Sequence, residues 1–287
     1  MKKICLTFLL LCLGLVCSQQ TKAGAIVTDS VRSEVLGGVW VKYNVYLPDG
    51  FAQSSQSYPV LYLLHGWSDD YTAWQKKGLM VNICNEIMDS GESERMVVIM
   101  PNAGTSDVAN TWCGYFNMKG WNYADFFFNE LMPKAEKKYR VIGDKKHRAV
   151  SGLSMGGGGS VVYAQTHPEL FAACYAMSAW FINDSVVRDK EKSEKIYELK
   201  KAVYEHDGSR FVENADEATL QKLRVVDWFI DCGDDDMLLF VNEKLHQTMK
   251  RANIPVQFRV RNGAHTWEYW HLGLRQALPF VSRAFKK

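Results

Sequence analysis

The sequence has few cysteines, no strong excess of either charge and only one long apolar run. Seven of its 287 residues are cysteine, and no two of them form the C-x-x-C pair that is typical of zinc and redox sites. The formal net charge is +2, which gives no reason to expect a nucleic-acid or anionic-membrane partner. No second long apolar segment and no internal repeat follow the N-terminal run, so we expect no transmembrane span and a single domain over residues 25–287.

The long apolar run lies at the N-terminus and has the pattern of a secretory signal peptide over residues 1–18. Two lysines precede the apolar stretch Ile4–Val16, which is too short to span a bilayer. Cys17 leaves two alternatives open, because a lipoprotein signal would place a lipid on this cysteine, whereas an ordinary signal would be cleaved near Ser18–Gly24. In both cases we expect an exported protein, either periplasmic or extracellular.

Four cysteines follow the signal, and an oxidising compartment would permit disulfides between them. Their spacing shows neither a disulfide framework nor a metal-ligand pattern, so we expect no metal. The two that lie in apolar, strand-like runs favour buried free thiols, and none lies in a turn before a helix, where a catalytic cysteine would be expected. The four are Cys84, Cys113, Cys174 and Cys232.

Short apolar runs separated by helical patterns predict an α/β fold with a mostly parallel central sheet and helices on both faces. Alternation over Val35–Leu47 predicts opening antiparallel strands. Parallel strands are predicted at Pro59–Leu64, Met96–Met100, Arg148–Ser151, Phe171–Met177, Val225–Ile230 and Val256–Val260. Helices are predicted up to Met88, over Tyr123–Tyr139 with a kink or restart at Pro133, over Phe240–Ala252, and through Leu274–Phe280.

The charged, lysine-rich segment Asp184–Leu223 lacks a strand pattern. It precedes the predicted strand Val225–Ile230 and interrupts the series of parallel strands, so we interpret it as a small insertion. Two placements stay open, a modest cap over the site or a solvated helix on the back of the sheet.

Residues 152–156 read Gly-Leu-Ser-Met-Gly and stand between a predicted strand and a helical pattern. This is the G-x-S-x-G nucleophile elbow in its expected setting, with Ser154 as the nucleophile. The amide of Met155, directly after it, is one candidate oxyanion donor, and the amide of Trp67, at the end of an earlier strand, is the other. His65 lies in the same loop as Trp67, and we interpret it as a structural residue that hydrogen-bonds the loop backbone.

A serine hydroxyl needs a base, and a histidine base needs an acid to orient it. His265 lies in a glycine-bearing loop after the last predicted strand, whereas His271 belongs to the final helix, so His265 is the preferred base. The acid should follow the preceding strand, where four aspartates compete. These are Asp231, Asp234, Asp235 and Asp236.

Aromatic residues make up 13% of the chain, with nine tryptophans, which would suit either a surface that stacks on sugar or phenolic rings or an aromatic core. Trp112 and Tyr115 lie in a loop that follows a strand end, and Trp180 follows another. We consider these three as candidate substrate contacts, with core packing as the alternative.

Four segments together resemble the esterase D-like family of α/β-hydrolases: Leu61–Gly66 with Trp74, Gly152–Gly158, Cys232–Asp236, and Gly263–His265 with Trp267. That family includes feruloyl and acetyl xylan esterases of carbohydrate esterase family 1, S-formylglutathione hydrolases and mycolyltransferases. The resemblance implies a Ser-Asp-His triad with no metal or organic cofactor. Its C-G-x-x-D pattern maps the acid onto Asp236, and its oxyanion donors map onto Trp67 and Met155.

The signal argues against S-formylglutathione hydrolase, whose substrate is cytosolic, and favours enzymes that deacylate plant cell-wall polysaccharide. The leading hypothesis is therefore a secreted serine esterase acting on feruloyl or acetyl esters of xylan-type oligosaccharides. A general short-chain esterase or an acyltransferase is the second hypothesis. A non-catalytic binding protein on a hydrolase fold is the third, and the intact set of Ser154, Asp236 and His265 argues against it.

Overall fold

The structure is a computed structural model that describes residues 24–182 and 193–287. The predicted signal peptide over residues 1–18 and the lipidation of Cys17 lie outside the described residues, as does the part of the predicted insertion at residues 183–192. In the described ranges no helix is both long and apolar enough to cross a membrane.

Eight strands form one mixed sheet in the order β1-β2-β4-β3-β7-β8-β9-β10. The first pair and the β2–β4 pair are antiparallel, and every other neighbouring pair is parallel. Two further short strands, β5 and β6, make a separate hairpin. The strands are β1 Ala25–Ser33, β2 Val39–Leu47, β3 Val60–Leu64, β4 Val97–Pro101, β5 Asn117–Met118, β6 Trp121–Asn122, β7 Arg148–Leu153, β8 Ala173–Met177, β9 Asp227–Gly233 and β10 Val256–Arg261.

Helices cover both faces of this sheet, because its central strands are apolar on both sides. Every residue of β3, β4 and β8 is buried. One apolar core packs β3, β4 and β7 against α5, and the other packs the opposite face against α2 and α10. The helices are α1 Ala73–Lys76, α2 Met80–Asp89, α3 Tyr123–Phe126, α4 Met132–Lys138, α5 Met155–Thr166, α6 Glu194–Glu205, α7 Gly208–Asn214, α8 Glu217–Leu223, α9 Leu239–Arg251 and α10 Trp267–Ala284, with short 3-10 turns at Phe51–Gln53 and Lys145–His147 and a π-helical segment at Phe127–Leu131.

The predicted α/β fold with a mostly parallel sheet is confirmed, with two local corrections. The first opening strand lies at Ala25–Ser33, upstream of the predicted range, because this edge strand is largely solvated and its apolar residues do not alternate with polar ones. The helix predicted to run unbroken to Met88 is interrupted at Leu79, whose φ is +49°. The kink or restart predicted at Pro133 within the helix Tyr123–Tyr139 is confirmed, because this helix passes through a π-helical segment and resumes as α4 at Met132, with Pro133 in the first turn.

The described part of the insertion forms three helices, α6 to α8. Helix α6 contacts β5 of the hairpin, while α7 packs against α5 and α9. The described part of the insertion therefore belongs to the helical layer on one face of the sheet, and its helix α6 extends to the rim of the sheet. The four cysteines that follow the predicted signal are free and buried, as predicted for Cys174 and Cys232.

Candidate active site

Ser154 occupies the sharp turn between β7 and α5. Its φ of +53° and ψ of −118° lie outside the regions that L-residues normally adopt. The turn is tight enough to require glycine on both sides: a Cβ on Gly152 would lie 2.5 Å from the carbonyl oxygen of Gly156, and one on Gly156 would lie 2.6 Å from the Leu64 carbonyl. The sequence thus builds an elbow that holds a serine hydroxyl at the C-terminal rim of the sheet.

Three side chains that are far apart in the sequence form one hydrogen-bonded chain at this rim. The Nε2 atom of His265 lies 3.0 Å from the Oγ of Ser154. The Nδ1 atom of the same ring lies 3.0 and 2.9 Å from the two carboxylate oxygens of Asp236. Because an ionised carboxylate only accepts hydrogen bonds, Nδ1 carries the proton and Nε2 is free to accept one from Ser154.

Asp236 is buried and remains well suited to the ionised state. Burial alone would raise the pKa of this carboxyl group, but hydrogen bonds from His265, the Leu238 amide and Ser178 hold it below its ordinary value. The three competing aspartates serve elsewhere. Asp234 and Asp235 are exposed, and the buried Asp231 accepts hydrogen bonds from Tyr175, Tyr269 and Arg261.

Ser178 is a part of the site that sequence reasoning missed. It follows β8, is fully buried and has a φ of +47°. Its Oγ accepts a hydrogen bond from the indole N–H of Trp270 at 3.1 Å, and its hydroxyl supports Asp236. A lone serine after a strand gives no sequence signal of this role, because the carboxylate it touches is 58 positions away in the chain.

A cleft of about 440 Å³ opens over the Ser154 hydroxyl. Trp67, in the turn after β3, lies in its wall, and Met155 is the first residue of α5. The first N–H groups of a helix have no partner within the helix, so the start of α5 has amides that are free to donate to another group. The remaining wall residues are Gly66, Ser68, Asp69, Lys77, Leu153, His265, Thr266, Trp267, Glu268 and Trp270.

His65 lies beneath the cleft as a neutral, buried residue. Its Nε2 accepts the Ala103 amide at 2.9 Å, and its Nδ1 donates to the Gly66 carbonyl at 2.9 Å. Burial lowers the pKa of this ring below its ordinary value. These contacts are the loop-backbone hydrogen bonds that the sequence led us to expect, and they tie together two loops at the sheet rim.

The three aromatic candidates for substrate contact occupy different places. Trp180 stacks on Trp67 with ring centroids 5.2 Å apart and an angle of 6°, and its amide donates to the Ser154 carbonyl. Tyr115 is 1% exposed and exchanges hydrogen bonds with the His65 backbone, so it is a core residue and cannot touch a substrate in this conformation. Trp112 does not line the catalytic cleft but belongs to a separate groove.

Comparison with known proteins agrees with this geometry. The family model described as "Putative esterase", the esterase D-like family, matches residues 33–281. The chain belongs to this family. A solved ferulic acid esterase is 46% identical, with a TM-score of 0.88, over 92% of this chain and 99% of that one. An S-formylglutathione hydrolase from Staphylococcus aureus is 25% identical, with a TM-score of 0.72, over 90% and 99% of the two chains.

Among curated sequences, a xylanase/feruloyl esterase from Xylanibacter ruminicola is 29% identical over 158 residues, which are 54% of this chain but 22% of that protein. This chain therefore corresponds to a minor part of that relative. The family and the structural matches show that the chain is a member of this esterase family with an α/β-hydrolase fold.

Proposed function

We propose that this esterase removes feruloyl or acetyl groups from xylan-type oligosaccharides through an acyl-enzyme on Ser154. The observation that carries the proposal is the unbroken hydrogen-bonded chain from Ser154 through His265 to Asp236. The 46% identity to a ferulic acid esterase over almost the whole chain supports the choice of substrate. We further propose that residues 25–287 act as one exported domain.

In the first half-reaction Nε2 of His265 takes the hydroxyl proton as the oxygen of Ser154 attacks the ester carbonyl carbon. The carbonyl oxygen becomes an oxyanion, and in this proposal the amides of Trp67 and Met155 donate hydrogen bonds to it. Asp236 stabilises the imidazolium that forms. When the tetrahedral intermediate collapses, His265 gives its proton to the departing sugar oxygen, leaving the acyl group on Ser154.

In the second half-reaction the same groups act on water. His265 removes a proton from the water molecule that attacks the acyl carbonyl carbon, and it then returns this proton to the Ser154 oxygen as the carboxylic acid leaves. The acid is the second product, and the enzyme returns to its starting protonation state.

The stacked indoles of Trp67 and Trp180 support an aromatic acyl group. Trp67 lies in the cleft wall, so an aromatic acyl group entering the cleft would meet a flat apolar surface held in place by the second ring. An acetyl group would leave this surface uncovered. The proposal therefore favours feruloyl over acetyl esters.

A substrate panel tests the proposal. The kcat/KM of the enzyme is measured on methyl ferulate, a feruloylated xylo-oligosaccharide, acetylated xylan, aryl esters of increasing chain length and S-formylglutathione, with Ser154→Ala as the control for background hydrolysis. We expect the feruloylated oligosaccharide to give the highest value. A preference for S-formylglutathione or for simple short-chain esters would contradict the proposed substrate class.

A further inference from the structure

A second concave surface lies at the same rim of the sheet and shares no lining residue with the catalytic cleft. It is a groove of about 320 Å³ between the start of β2, the loop that follows β4, the β5–β6 hairpin and the start of α6. We call it the tryptophan groove, after the residues that line it, which include Trp40, Trp112, Trp121, Asn102, Asn110 and Lys195.

Three tryptophan side chains line the groove. The rings of Trp112 and Trp121 are nearly parallel, at an angle of 8° with centroids 6.4 Å apart. Trp40 is 67% exposed, which is unusual for a side chain whose burial normally contributes a large apolar area. The indole N–H of Trp121 is buried without a hydrogen-bond partner among the described residues.

The polar side chains of the groove are mostly neutral. Asn102, Thr105, Asn110 and Thr111 supply amides and hydroxyls that can each donate or accept a hydrogen bond. Among the described residues of the wall, the one charged group is the ammonium of Lys195, which lies 5.5 Å from the centre of the Trp112 ring and donates to the Asn110 carbonyl. Within residues 24–182 and 193–287 no carboxylate lines the groove.

The groove also has a fixed relation to the catalytic residues. Asn102 directly follows β4, so it lies at the C-terminal rim where the Ser154 elbow lies. The loop continues through Trp112 to Cys113, whose sulfur is 3.7 Å from the sulfur of Met155, the residue after the nucleophile. One buried wall therefore separates the groove from the cleft.

From these observations we propose that the tryptophan groove binds a neutral oligosaccharide, namely sugar units of the substrate remote from the ester. A sugar ring has apolar C–H faces that pack on an indole and hydroxyls that both donate and accept, which matches flat tryptophans bordered by amides and hydroxyls. The inference rests on the proposed function only in its choice of sugar, because binding in the groove requires no reaction at Ser154.

Isothermal titration of the full chain carrying Ser154→Ala with xylotetraose, which has no ester, tests the groove directly. We expect saturable binding that weakens about tenfold when Trp40→Ala is added, because one stacking surface is lost. Trp40 is mostly exposed, so this variant should fold, and circular dichroism checks that it does. Trp112→Phe, which keeps a ring in the wall, should weaken binding less, and Val225→Ala, which also alters an exposed apolar side chain, should leave it unchanged.

Steady-state kinetics give a second readout. Trp40→Ala should raise the KM for a feruloylated xylo-oligosaccharide about tenfold and leave the kcat/KM for methyl ferulate unchanged. The absence of xylotetraose binding, or binding that Trp40→Ala and Trp112→Phe leave intact, would overturn the proposal, as would displacement of the sugar by free ferulate. If xylotetraose binds through Trp40 while no ester is hydrolysed, the groove stands and the proposed function fails.

Discussion

Trp270 donates its indole N–H to the Oγ of Ser178 across 3.1 Å, and this fixes the serine that supports the carboxylate of Asp236. Ser178 in turn lowers the pKa of Asp236, so two further buried residues act on the acid of the set formed by Ser154, His265 and Asp236. Because all of its members are buried or half-buried, the acid is held by the protein and not by solvent. Five predictions follow from this arrangement and from the cleft above it.

The first concerns Ser178. Ser178→Ala removes the hydroxyl that lowers the pKa of Asp236, so we expect kcat to fall about tenfold, which corresponds to about 1.4 kcal/mol. Ser151→Ala is the matched control, because Ser151 is an equally buried serine whose hydroxyl donates to the Tyr175 carbonyl, away from the triad. Both variants should lose some stability in urea unfolding. Equal kcat values for the two would show that Ser178 does not position the acid.

The second concerns the choice among the aspartates. Asp236→Asn keeps the size of the side chain but cannot hold His265 in the required tautomer, so we expect kcat to fall by a factor of about 10³ to 10⁴. Asp235→Asn, one position away on the exposed surface, should keep the wild-type rate. Steady-state assay of an activated aryl ester measures both, and a wild-type rate in Asp236→Asn would transfer the role to another residue.

The third prediction distinguishes the roles of the two histidines at the rim, His65 and His265, by the pH dependence of stability and by activity. Burial lowers the pKa of His65 in the folded protein, so the unfolded chain takes up a proton at a higher pH than the folded one. The stability from neutral His65 is fully present above about 6.5, the ordinary histidine value, and is lost as pH falls from there to the lowered folded value. His65→Gln should therefore flatten the stability profile in that window while keeping measurable esterase activity.

The matched substitution His265→Gln should instead remove most of the esterase activity. It removes the proposed base, so we expect kcat to fall about 10³-fold or more. Unfolding experiments across pH and one ester assay are sufficient to compare the two variants. Loss of activity in His65→Gln with activity retained in His265→Gln would reverse the assignment.

The fourth concerns the stacked indoles. Trp180→Ala removes the ring that holds Trp67, so we expect the kcat/KM for methyl ferulate to fall about tenfold and that for an acetyl ester to change little. Trp180→Phe keeps a ring behind Trp67 and should recover most of the loss. An equal effect of Trp180→Ala on both esters would show that the pair serves stability and does not contact the acyl group.

The candidate site could be predicted largely from sequence because its elements are local. The Gly152 to Gly156 turn, the His65 loop and the His265 loop are each short patterns at a strand end, and parallel strands bring their C-terminal ends to one rim. The sequence pattern alone could not identify the catalytic aspartate, because four candidates lie within six positions. The family resemblance selected Asp236, and the hydrogen bonds to His265 place it beside the base.

The features that could not be predicted from the sequence depend on contacts between distant segments. Ser178 joins Asp236 to Trp270 across three elements, and no pattern around it indicates a role. Tyr115 shares a loop with Trp112, yet one is buried beneath His65 and the other lies in a groove, a distinction set by packing alone. Strand β1 lies outside the range that the sequence predicts, because this edge strand has solvated residues and lacks apolar alternation.

The fifth prediction tests the central claim, that Ser154 carries the acyl group during turnover. The wild-type enzyme is mixed with excess methyl ferulate or an activated aryl ester, quenched in acid within the first turnovers, digested and analysed by mass spectrometry. We predict a feruloyl or acyl adduct on the peptide that contains Ser154, and none in Ser154→Ala. Continued ester hydrolysis with no adduct on that peptide, or with an adduct on another residue, would contradict the account.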